Sequence, residues 1–172
     1  MSSSCTPAAS VVEMNQLVLP THTNALGTVF GGTIMSWIDI CAAMSAQRLS
    51  RKVVVTASMD QLDFLAPIRN GQLVNLRAMV NYVGRTSMEV GVRVEAEETL
   101  TGERVHAASA YLTFVALDEQ GKPIPINCEL STSTPRERLR SEEARERRAQ
   151  RLQLARRRQE LALEHGEDDG SA

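Results

Sequence analysis

The chain has 172 residues, 42% of them hydrophobic, and a formal net charge of −2. That suits one domain with a sizeable core plus tails, and no stretch approaches the roughly 20 apolar residues needed to span a bilayer. Ten arginines, from Arg136 to Arg158, follow Thr134, so the body is mildly acidic and a nucleic-acid function for the whole chain has little support.

Residues 1–10 are small and polar, which predicts a disordered lead. They lack the basic start and apolar run of an export signal. Cys5, Cys41 and Cys128 are odd in number, widely spaced and without a C-x-x-C pair, so neither a disulfide framework nor a zinc site is expected, and a cytoplasmic location fits. Val11 to Leu19 reads as a first strand and Pro20 to Thr28 as a loop. From Gly31, the pattern Ile34, Ile38, Cys41 or Ala42, Ser45 recurs at helical spacing to Arg48 or Leu49. Asp39 lies on this largely apolar helix. An acid there is costly to bury unless it is paired, placed at an edge or used in chemistry.

An extended segment runs from Val53 to Phe64 and is closed by Pro67 and Asn70–Gly71. In the next strand Val74, Leu76, Ala78, Val80 and Tyr82 share one face, opposite Asn75, Arg77 and Asn81. After a hairpin turn at Gly84–Arg85, Met88, Val90, Val92, Val94 and Ala96 alternate with Glu89, Arg93, Glu95 and Glu97, which predicts a sheet with one wet face. Arg104 to Leu117, after Thr101–Gly102, is apolar on both faces for much of its length and suits a central strand or one buried against a second subunit. Residues 127–134 read as a linker. Thr134, Pro135 and Glu137 then form a helix-start signal for a charged helix over 135–164. Pairs such as Glu142/Arg145 and Glu143/Arg147 support that helix weakly. Lacking a continuous apolar stripe, it is expected to project or fray, and 165–172 form a disordered tail.

One apolar helix followed by a meander of antiparallel strands predicts an α+β unit, a curved antiparallel sheet wrapped around one central helix, plus the charged C-terminal helix. Its open edge favours self-association. Glycines 31 and 32 at the helix entrance allow close approach to backbone N–H groups able to stabilise an oxyanion.

The motif T-x-x-N-x-x-G-x-x-F-G-G, entering a helix that continues M-S-x-x-D, resembles the hotdog-fold acyl-CoA thioesterases. The resemblance is to the acyl-CoA hydrolase branch, which includes YciA-like enzymes and the cytosolic tandem-hotdog hydrolases, and it covers the domain assigned to 11–126. It implies fatty acyl-CoA hydrolysis with Asn24 and Asp39 as the catalytic pair, CoA present only as part of the substrate, and no metal or other cofactor. It further implies a dimer with two sites, each taking Asn24 from one subunit and Asp39 from the other, and hexamers built as trimers of dimers are common in the branch. Thr56 is a secondary candidate, at a position where relatives carry a small hydroxyl residue. Gly84, Arg85, Thr86 and Ser87 resemble the family's CoA contact, with Arg85 as the phosphate partner.

The residues themselves agree. A thioester has a good leaving group, so hydrolysis needs an activated water, a polarised carbonyl and a dry acyl pocket. Asp39 serves as base, or as nucleophile through an anhydride. Asn24 holds the water or the carbonyl, and Gly31 and Gly32 supply the oxyanion contact. The acyl chain passes Met35 and Ile38. Against this stand bland readings: Asn24 as a turn residue, Asp39 as a satisfied structural carboxylate, Thr56 as an ordinary strand residue, Arg85 as a solvated turn. His22 is read as structural and Cys41 as a small core residue. Alternatives are an acyl-CoA-binding sensor on the same fold, an acyl carrier protein thioesterase, and, less favoured, a hydratase.

Overall fold

The structure, a computed structural model, describes residues 3–164. The expected tail at 165–172, with His165, lies outside the described residues. Seven strands and two long helices follow in the order β1 (Ser3–Cys5), β2 (Val12–Leu17), α1 (Gly31–Ser50), β3 (Val53–Phe64), β4 (Leu73–Val83), β5 (Ser87–Glu97), β6 (Arg104–Leu117), β7 (Cys128–Leu130) and α2 (Pro135–Glu164). Strands β2-β4-β5-β6-β3 form one antiparallel sheet. This is the α+β hotdog arrangement, with α1 against the inner face and α2 lying across the outer one.

The inner face follows from alternation. Val74, Leu76, Ala78 and Val80 of β4, Met88 to Ala96 at every second position of β5, and Ala110, Leu112, Phe114 and Ala116 of β6 are buried with Ile34, Ile38, Cys41, Ala42 and Ala46 of α1. Each large side chain removed from water contributes about 1.5–3 kcal/mol. α1 ends where Arg51 adopts the left-handed conformation, φ 53°.

The outer face departs from the wet surface predicted for it. A bulge at Asn81, between the pairs Val80/Val90 and Tyr82/Glu89, turns both Asn81 and Tyr82 outward, so Tyr82 leaves the apolar set it was assigned to. Asn81 donates to Glu89 at 3.2 Å. A Cβ on Gly91 would stand 2.6 Å from the Asn81 amide nitrogen, so only glycine leaves room for that side chain. Glu89 is 4% exposed and the Asp60 side chain 7% exposed, because α2 covers both. Arg147 grips Glu89 through two hydrogen bonds of 2.7 and 3.1 Å, and its guanidinium lies 3.7 Å over the Tyr111 ring. Arg151 bonds Asp60, and Thr113 at 2.6 Å. Burial alone would lower the Arg147 guanidinium pKa, but the bonds and charge of Glu89 carry it above its ordinary value.

The C-terminal helix therefore neither projects nor frays over this stretch. It docks through arginines, a mode that an apolar-stripe criterion does not detect. Neither Glu142/Arg145 nor Glu143/Arg147 closes to 4 Å; Arg145 lies 5.8 Å over Tyr82. The helix start has the expected reciprocal capping, with Glu137 N–H donating to Thr134 Oγ1 at 3.2 Å and the Glu137 carboxylate accepting from the Thr134 and Ser133 backbone.

Two further expectations are corrected. The lead is ordered from Ser3, since β1 pairs in parallel with β7, inside the expected 127–134 linker, and Cys5 and Cys128 form a disulfide. Their separation of 123 residues hid the pair from a reading based on spacing. Ser10 then seals the lead to the core. β2 pairs with β4 only as far as Ala78, so the Val80 N–H donates to Ser10 Oγ at 2.9 Å, while Ser45 of α1 donates to the Ser10 carbonyl at 2.8 Å.

Candidate active site

Asp39 and Thr56 meet. Asp39 is half-buried at the edge of the α1 core face, one residue after fully buried Ile38, and Thr56 Oγ1 donates to its Oδ1 at 2.6 Å. The bond uses one carboxylate oxygen and fixes the other as the acceptor for a further proton. Phe114 lies opposite Thr56 on one side and Met88 on the other, so the acid is backed by an apolar row across β3, β6 and β5.

Asn24 sits elsewhere, in the loop before α1. Its Oδ1 accepts from Leu26 N at 2.9 Å, Thr28 N at 3.3 Å and Thr28 Oγ1 at 3.2 Å, and Gly27, with φ 72°, closes the turn. With the oxygen committed to its own loop, the Asn24 amide NH2 is the end left to act on a ligand, as a donor. The loop is tied to the helix by His22, whose carbonyl accepts from Phe30 N at 3.0 Å, whose Nδ1 accepts from Leu19 N at 3.1 Å, and whose ring packs edge-on to Trp37 at 5.1 Å. His22 thus holds the loop against the helix.

Thr33 and Ile34 both donate to the Phe30 carbonyl, whereas the Gly31 and Gly32 N–H groups have no acceptor among the described residues. These are the unpaired donors of a helix N-terminus, suited to an oxyanion. Nothing lies within 4 Å of a Cβ built on Gly32, while one on Gly31 would touch the Phe64 ring at 3.4 Å. Beside Gly31 opens a largely apolar cleft of about 380 Å3 lined by Val29, Ile34, Phe64, Leu65 and Ile68. Sequence reading missed this cleft, because its walls come from two separate segments, 28–34 and 64–68, and only Gly31 carried a signal.

Within one chain the donors and the acid are apart. Seven residues separate Gly32 from Asp39, about 10 Å along a helix. A single thioester carbonyl and its water do not bridge that span. The chain therefore places the N–H donors and Asn24 at the start of α1, and Asp39 with Thr56 at its middle. Met35, on the helix between them, is exposed, and so are Val53 and Val55 of the sheet-edge strand β3, at 64% and 44%.

The turn Gly84 to Ser87 joins β4 to β5. Gly84 N donates to Ser87 O at 2.7 Å, Ala116 N to Thr86 O at 2.9 Å and Ile126 N to Arg85 O at 2.8 Å, so the turn is held from two sides while the Arg85 side chain stays exposed. Ser87 faces Val115, which faces Val55. Two strand spacings, about 10 Å, thus separate this turn from the residue preceding Thr56. Cys41 is sealed in the core, and burial pushes its thiol up to about 11, against a thiolate. Among the described residues no group of three His, Cys, Asp or Glu side chains is arranged to hold a metal ion.

The thioesterase superfamily model matches residues 26–103. An acyl-CoA thioester hydrolase of Bacillus subtilis, itself described as uncharacterized, is 50% identical over 117 residues, 68% of each chain. An acyl-CoA hydrolase from Staphylococcus aureus, solved with butyryl coenzyme A, coenzyme A and coenzyme A disulfide, superposes with a TM-score of 0.84 at 36% identity, covering 95% of this chain and 98% of that one. A hexameric acyl-CoA thioesterase in its apo form gives 0.84 at 41% identity, covering 88% and 97%. The Staphylococcus aureus enzyme has also been solved as three alanine variants, replacing an asparagine, an aspartate fifteen positions later and a threonine seventeen beyond that. Asn24, Asp39 and Thr56 are the same residue types at the same separations.

Proposed function

This chain belongs to the thioesterase superfamily, in its hotdog-fold acyl-CoA hydrolase branch, and from that premise we propose that it hydrolyses fatty acyl-CoA to free fatty acid and CoA, with Asp39 as general base. The observation that carries the reading is the 2.6 Å bond from Thr56 to Asp39, made by residues that match in type and separation two of those replaced in the Staphylococcus aureus enzyme. Asp39 takes a proton from water as the oxygen attacks the thioester carbonyl. The oxyanion is held by the Gly31 and Gly32 N–H groups with the Asn24 amide as a further donor. The C–S bond then breaks, and CoA leaves as a thiolate that is protonated in turn.

The complete site forms between two protomers. The 10 Å separation of the half-sites along α1 supports this, as does the long exposed β3 edge, a strand that needs a partner. The hexameric relative supports assembly of such dimers in threes. Arg85, on its braced turn, meets the CoA phosphates, with Gly84, Thr86 and Ser87 beside the pantetheine. The acyl chain passes Met35 toward the cleft beside Gly31. Action in the cytoplasm belongs to the same reading, although the cysteine argument for it falls with the Cys5–Cys128 pair.

The test is thiol release from acyl-CoA of graded chain length. Wild type should turn over, and Asp39→Ala should lose on the order of 10²–10⁴-fold in kcat with acyl-CoA binding retained. Asn24→Ala should lose less. Turnover surviving in Asp39→Ala would sink the base assignment, and tight binding without wild-type turnover would favour the sensor.

A further inference from the structure

On the side of the sheet opposite α1, a groove of about 740 Å3 lies between α2 and strands β2, β4, β5 and β6. None of the residues assigned to catalysis or CoA contact lines it. Its volume falls in the range of small-molecule sites. Met79 and Leu139 give it apolar walls, Asn15 and Tyr111 contribute polar ones, and Glu13, Glu95 and Glu143 also line it against five arginines, two of which, Arg93 and Arg104, are taken up by Glu95 and Glu97. What sets it apart is the state of its arginines.

Arg147 and Arg151, farther along α2, are each locked to a nearly buried carboxylate. Arg140 and Arg136, on the preceding turns, open into the groove, and neither makes a hydrogen bond or ion pair among the described residues. Arg77, across from them on β4, has only a loose 3.6 Å pair with Glu13, both side chains about two-thirds exposed. Arg140 is half-buried. Burial first, and then the positive charges of Arg136 and Arg77, disfavour its protonated form; Tyr111 and Glu143 oppose them without reversing the direction. A half-buried guanidinium gathered with like charges and left without an acceptor is unfavourable in the empty protein and is relieved by an anion.

We propose that this groove is a binding site for a small organic phosphate, with Arg140 and Arg136 gripping the phosphate oxygens, Arg77 adding charge, and Met79 and Leu139 receiving the organic part. Two guanidinium groups lining one groove with a third cation across from them suit a polyvalent phosphate better than a single carboxylate. The proposal stands apart from the thioesterase reading. The same chemistry is carried by the phosphates of CoA and by an independent organic phosphate, and competition separates the two.

The experiment is calorimetric titration of the full chain with pyrophosphate at fixed ionic strength. Saturable binding is expected, weakened about tenfold or more by Arg140→Gln and by Arg136→Gln, since each removes charge-assisted bonds. Arg140→Lys should retain part of the affinity, and the loss caused by Arg140→Gln should be as large in an Arg85→Ala background as in wild type. Neither arginine anchors α2, so the variants keep the fold, which a circular dichroism melt verifies. Displacement of pyrophosphate by saturating CoA in both wild type and Arg85→Ala would identify CoA phosphates as the occupant; no displacement would identify a separate ligand. Absence of saturable binding, or binding lost in Arg85→Ala and intact in Arg140→Gln, would overturn the proposal.

Discussion

The two faces of the sheet are covered by one helix each, and the two helices use opposite chemistry. α1 buries Ile34, Ile38, Cys41 and Ala42 against alternating apolar side chains, and its packing requires shape but no charge. α2 buries one alanine, Ala144, completely and otherwise grips the sheet through Arg147 on Glu89 and Arg151 on Asp60. The inner contact is non-directional and tolerant of rearrangement; the outer one is a set of fixed hydrogen-bond geometries over carboxylates that are costly to leave alone. A helix can thus be part of a fold without an apolar stripe, provided the surface beneath supplies buried acids.

Removing shape from the inner face should have the largest effect on stability. Ile38→Ala opens a cavity at a side chain with no exposure and should cost roughly 2–5 kcal/mol, read as a lower urea midpoint at unchanged m-value. A loss below about 1 kcal/mol would mean that the inner packing is looser than its burial indicates.

Next, Arg147→Met leaves Glu89 buried without its cation and should cost about 3 kcal/mol, near the lower end for a broken buried pair. Adding Glu89→Gln to that variant should recover part of the loss, because the stranded charge is then gone. Additive losses in the double variant would show that the two side chains act independently and that the outer clamp is not electrostatic.

The smallest effect belongs to the helix start. Glu137→Ala removes the acceptor for the Ser133 and Thr134 N–H groups and should cost about 1 kcal/mol. Those backbone bonds hold the Glu137 carboxyl below its ordinary 4.5. A depressed folded-state value means the contribution is present above pH 4.5 and is lost as pH falls through the lower folded value, so the gap between wild type and Glu137→Ala should close in acid. A gap that stays constant however far the pH is lowered would contradict the cap assignment.

Much of the inner half was legible in the sequence. Periodicity placed α1 and the strands, because a face that packs on hydrocarbon must repeat at 3.6 or 2 residues. The Asn24 and Asp39 motif was legible because the loop and helix that hold each residue are local. Three things were not. The cleft beside Gly31 is assembled from two distant segments, the Cys5–Cys128 pair joins the two ends of the chain's folded part, and Glu89 reads as solvent-facing because alternation reports only which side of a strand a residue takes.

The sequence by itself determined the sheet-around-helix unit, the capped start of α2 and the residue types of the candidate site, since all of these rest on local propensity and short-range pattern. Only the tertiary structure decided that Thr56 reaches Asp39, and that α2 is clamped down with Arg136 and Arg140 left facing a groove. Those outcomes depend on which strand neighbours which and on the bulge at Asn81, long-range choices made by the packing of the whole chain.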